Sequence, residues 1–126
     1  MKRLIAAIVL LSFAVAVTVW TGYTFNKEMN AFEESLNKLM EFSNSYGDGE
    51  LIAEAEKIVN QWNKSSSLLR SVVLHDGVDE LGRNISSLPR IIEHSGKDEM
   101  EIKCIEAINL IKNLKACEKL SLENVL

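Results

Sequence analysis

Proline occurs once in these 126 residues, cysteine twice, histidine twice, and the aromatic fraction is only 6%. So little proline, together with six glycines, argues against a disordered chain. Scarce aromatics and the lack of alternating apolar strands argue against a β-sandwich. Two cysteines cannot build a disulfide scaffold. Charge is missing where it matters most: none stands between Arg3 and Lys27. Catalytic signatures are missing too. The chain has no G-x-G-x-x-G, Walker A, H-E-x-x-H, C-x-x-C or G-x-S-x-G.

What is present is first an apolar run. Leu4 to Phe25 reads LIAAIVLLSFAVAVTVWTGYTF, interrupted only by Ser, Thr and Gly. As a helix it extends roughly 33 Å, enough for a hydrocarbon core of ~30 Å. Lys2 and Arg3 precede it, whereas Lys27 is followed at once by Glu28. The positive-inside rule then puts the N-terminus in the cytoplasm and the remainder outside, on a single-pass anchor in the cell membrane. Trp20 and Tyr23 fall near the outer end, where amphipathic rings favour the headgroup region. A cleaved signal peptide is the competing reading, because Ala14-Val15-Ala16 fits a cleavage site. Against it, the run continues through Val17, Val19 and Trp20, longer than such a segment requires. Either way the same domain is exported. The division expected is an anchor over residues 1–25 and an extracytoplasmic helical domain over residues 26–126.

Leaving out Lys2 and Arg3, the rest carries 12 basic against 18 acidic residues, a net charge of -6. A surface that acidic repels phosphate backbones and anionic headgroups, so neither nucleic acid nor peripheral membrane binding through a basic patch is expected.

The remainder keeps a helical beat. Phe25, Met29, Phe32, Leu36 and Leu39 step by four and three, and no breaker separates them from the apolar run. One helix is therefore expected from about Leu4 to Ser45, ending at Ser45-Tyr46-Gly47-Asp48-Gly49. A second, about Glu50 to Leu74, has the stripe Ile52, Ala55, Val59, Trp62, Ser66, Leu69 and Val73, widened by Leu51, Ile58 and Val72. A third, about Val78 to Glu93, carries Val78, Leu81, Ile85, Leu88 and Ile92. Gly82 and Pro89 oppose it, and a kink or break is expected at Pro89. After Ser95-Gly96-Lys97, Asp98 with Glu101 resembles a capping box opening a fourth helix to about Leu120. Its buried face would use Met100, Cys104, Ala107, Ile108, Ile111, Leu114 and Cys117, with the tail Leu120 to Leu126 folding back. Short connections favour antiparallel neighbours. The fold class expected is all-α: an N-terminal transmembrane helix running into an antiparallel three- to four-helix bundle.

This order of features resembles a bacterial family known as domain of unknown function 4363. The residues carrying the resemblance are Met1-Lys2-Arg3-Leu4-Ile5, Trp62 midway along the second helix, Leu74-His75 at its end, and Leu120-Ser-Leu-Glu-Asn-Val-Leu126. The resemblance implies a short membrane-anchored helical protein without an established activity. It also implies a membrane-protein partner, since such genes lie beside those of small integral membrane proteins in spore-forming Gram-positive bacteria.

Few residues could carry chemistry. His75, Asp76 and Asp79 gather at one interhelical turn and are the weak candidates for a metal or an acid–base pair. A zinc site wants three or four ligands, and only one imidazole stands here. A helix-end histidine followed by capping aspartates accounts for the same residues. Cys104 and Cys117, 13 residues apart on one helix, are ~20 Å apart and cannot pair with each other. Trp62, with Val59 and Leu69 on its face, is expected in the structural core. No catalytic residue, cofactor or metal is expected. The leading function is therefore a non-catalytic interaction module for another membrane protein. The alternatives are a ligand-sensing extracytoplasmic bundle, or an exported soluble domain after cleavage. A sensor would have to signal sideways, since only three residues precede the anchor.

Overall fold

A computed structural model describes the backbone of residues 1–72 and 75–125, and the side chains of these except 70–72, 75, 76, 121, 122, 124 and 125. The described chain is four helices: α1 Lys2–Phe42, α2 Asp48–Val72, α3 His75–Ser95 and α4 Lys97–Val125. Each packs on its two neighbours in the order α1, α2, α3, α4 and back to α1. Cross-helix contacts set the directions. Glu28 meets Ser65 and Phe32 meets Trp62, while Asn30 and Glu33 meet Lys115 and Tyr46 meets Lys97. Rising numbers on one helix face falling numbers on the next, so α1 runs antiparallel to both α2 and α4. The architecture is an up-down-up-down bundle with the core along its axis.

Helix α1 buries Gly22, Phe25, Met29, Phe32, Leu36 and Leu39, the stripe its four-and-three spacing lays on one face. Residues 1–17 project beyond the bundle, exposed on all sides. The helix to which they belong is long and apolar enough to cross a membrane. Its soft polar residues are satisfied within the helix: the Thr18 hydroxyl donates to the Ala14 carbonyl at 2.8 Å and Thr21 to Thr18 at 3.0 Å. The helix ends at Phe42 rather than Ser45. The Ser43 hydroxyl donates back to the Met40 carbonyl at 2.6 Å, and Tyr46 stacks on Phe42 at 4.8 Å between ring centroids. This tight turn feeds α2, whose first turn carries Asp48 and Glu50 toward the positive helix end.

The core face of α2 is turned slightly from the stripe expected. Leu51, Ala55, Ile58, Trp62 and Leu69 are buried, whereas Ile52 and Val59 are half-buried beside them. Val73 and Leu74 lie outside the described residues.

Helix α3 departs most from expectation. It starts at His75 rather than Val78 and runs through Pro89 to Ser95 without a break. The penalty for an interior proline is ~3 kcal/mol. Leu81, Ile85, Leu88 and Ile92 are all at most 1% exposed, and burying each contributes roughly 1.5–3 kcal/mol, which outweighs it. Gly96 then closes the helix at φ 85°, a left-handed conformation that a Cβ would oppose, with its N–H donating to the Ile91 carbonyl at 3.1 Å.

Helix α4 starts at Lys97, one residue before the expected cap. Asp98 is therefore inside the first turn, where it favours the helix dipole rather than capping it. Its buried face is Met100, Cys104, Ala107, Ile108, Ile111 and Leu114. Cys117, expected on that face, is exposed. Instead of folding back after Leu120, the chain stays helical to Val125. The Lys115 ammonium, bonded to the Glu33 carboxylate at 3.0 Å and to the Asn30 side chain, pins this helix to α1.

Candidate functional site

Three features could serve a function: the projecting apolar segment, the α2–α3 groove and the two thiols. The groove, about 590 Å³, is lined by Trp62, Asn63 and Ser66 from α2 and by Asp79, Gly82, Arg83 and Ser86 from α3. It exists because Gly82 lacks a side chain. A Cβ there would stand 2.8 Å from the indole nitrogen of Trp62, so α3 approaches the ring closely at this point. Phe32 also packs on the indole in an edge-to-face contact, with centroids 5.3 Å apart. Trp62 is only 3% exposed, yet its N–H has no acceptor among the described residues and its edge reaches the groove floor. Asn63, Ser66, Asp79, Arg83 and Ser86 ring that floor with donors and acceptors.

Of the turn residues singled out in the sequence, Asp79 lies in this groove and takes part in an interaction of its own. The side chains of His75 and Asp76 lie outside the described residues. Among the described residues no three His, Cys, Asp or Glu side chains gather as a metal site would require. Sequence reasoning missed Arg83, Asn63, Ser66 and Ser86 as groove residues. The available signal was Gly82, a costly residue in a helix interior placed so as to receive the tryptophan.

The thiols differ. Cys104 is buried and its pKa is pushed up to about 12, first by desolvation and then by the nearby Glu101 charge. It is an inert core group. Cys117 stands exposed on α4. Partial burial also raises the pKa of Glu118.

No curated protein and no solved structure matches the chain significantly. The profile of the family described as Domain of unknown function (DUF4363) matches residues 19–125, which takes in α2, α3, α4 and α1 from Val19 onward. The match begins at Val19, so it covers the bundle and the outer end of the apolar segment. The chain is a four-helix protein belonging to the family Domain of unknown function (DUF4363).

Proposed function

We propose that this chain is a single-pass, membrane-anchored interaction module. It presents its bundle outside the cytoplasmic membrane to another membrane protein, without catalysis. One observation carries the reading: an exposed helical segment, without charge from Leu4 onward, continues unbroken into a packed core. An apolar surface of that size is stable only when lipid or another apolar partner covers it. Lys2 and Arg3 at its start favour a cytoplasmic N-terminus. Among the described residues no fully buried side-chain nitrogen or oxygen lacks a partner, which supports a scaffold better than a catalyst.

The test is site-specific photocrosslinking in living cells from exposed positions: Leu10 in the apolar segment, and Glu56, Ile102 and Ile105 on the bundle. The expected result is one discrete protein adduct recurring from neighbouring positions. Adducts from none of them would overturn the reading.

A second reading, ligand sensing, is favoured by the unpartnered indole N–H of Trp62 at the groove floor. A ligand there would bring an acceptor for the indole and for Arg83. Arg83→Ala would then change the output of the partner without changing its amount in the crosslinked complex.

A further inference from the structure

We infer that the base of the bundle sits in the lipid headgroup layer, so that the ends of α2, α3 and α4 form a second membrane-contact surface beside the anchor. This rests on the anchored reading above and adds a partner surface to it.

The inference follows from registers. Ser65 on Glu28 and Trp62 on Phe32 align α2 with α1, which brings Val72 to the level of Gly22. Helix α3 starts three residues later, at the same end. Lys115 on Asn30 and Glu33 aligns α4 with α1. Ten further residues at 1.5 Å carry α4 about 15 Å to Val125, again to the level of Gly22. Three helix ends therefore share one plane.

That plane coincides with the hydrocarbon boundary. From Leu4, the ~30 Å of a bilayer core is crossed in about 20 residues, which ends at Tyr23. Gly22 and Phe25, the last part of the apolar run, are already buried by the bundle. No spacer separates lipid from protein core, so the base cannot stand clear of the headgroups. The interfacial layer adds roughly 5–7 Å on this side, about four residues of helix. This brings Leu120, at the level of Asn26 and Lys27, to its outer rim. Leu120 is 60% exposed, a large apolar side chain at the depth where headgroups would cover it. Trp20 and Tyr23, also exposed, lie at the depth aromatic belts occupy.

The test uses the full chain in phosphatidylcholine/phosphatidylglycerol nanodiscs, carrying Cys117→Ser so that only an added cysteine takes a spin label, Cys104 being sealed in the core. Leu10→Cys, Leu120→Cys and Glu99→Cys are compared by collision with oxygen and with a water-soluble nickel chelate. Expected is a hydrocarbon signature at position 10 and an aqueous one at position 99. Position 120 should show nickel accessibility less than half that of position 99. Equal accessibility at 120 and 99 overturns the inference while leaving the anchor intact. An aqueous signature at position 10 removes the anchored reading itself, and the inference with it.

Discussion

Gly82→Ala sets two known effects against each other at one atom. In an open helix the change would stabilise by about 1 kcal/mol, because alanine loses less backbone freedom than glycine. Here the new Cβ would lie 2.8 Å from the Trp62 indole nitrogen and 3.2 and 3.3 Å from its two nearest ring carbons. A rigid ring cannot yield as the tip of a flexible chain can, and this one is also packed against Phe32. Overpacking of this kind costs typically 1–3 kcal/mol, so the substitution should destabilise by up to ~2 kcal/mol net. At 4–8 °C per kcal/mol for a domain near 100 residues, Tm should fall by up to roughly 15 °C. The sign should reverse when the ring is smaller. In a Trp62→Phe background the same change should be neutral or stabilising by about 1 kcal/mol. The assay is urea and thermal unfolding of the fragment Thr21–Leu126 in all four combinations. This start retains Gly22 and Phe25, which the core includes. The pair should couple by at least ~1 kcal/mol. Equal effects of Gly82→Ala in both backgrounds would refute the close approach of α3 to the indole.

Further outcomes follow from the same core. Trp62→Ala should cost on the order of 3–5 kcal/mol, measured by circular dichroism melting, since a 3% exposed indole leaves a cavity between α1, α2 and α3. Trp62→Phe should be tolerated far better. The Cys104 thiol, with its pKa raised from 9.0 to about 12, should resist a thiol reagent at pH 8 under native conditions, while exposed Cys117 reacts. Between those two pH values the unfolded chain gives up the Cys104 proton and the folded chain keeps it. This thiol's contribution to stability is therefore complete below pH 9 and declines by up to ~1.4 kcal/mol per pH unit above it. In Cys104→Ala, unfolding between pH 9 and 11 should lose that component of its slope. Glu118, also raised by desolvation, has the same sense in the acid range: stability is gained as pH falls from its raised value through the ordinary one, so Glu118→Gln should flatten a small acid-side gain in stability.

The stripe of α1 was legible because a four-and-three spacing admits one helix face and nothing interrupts it. The face of α2 was legible only to within about one residue. Leu51 and Ile52, and Ile58 and Val59, are adjacent apolar pairs, and which member turns inward depends on how α1 and α3 seat against the helix. Pro89 misled because propensity is local, whereas the burial that keeps α3 intact comes from its neighbours. Helix α4 outran its expected end because the turn formers at Ser121 and Asn124 are weak breakers. The groove was hidden for a different reason. Its residues come from two helices whose register no single-chain periodicity reports, and its floor depends on the missing side chain of Gly82.

The central claim is a retained anchor with the bundle outside. Intact protoplasts treated with a membrane-impermeant maleimide, followed by mass spectrometry of the extracted chain, test it at Cys117, the exposed thiol. The account predicts a single adduct on a chain that still carries Met1 to Phe25. A chain labelled only after lysis would contradict the topology, and a labelled chain starting at Val17 would contradict the anchor.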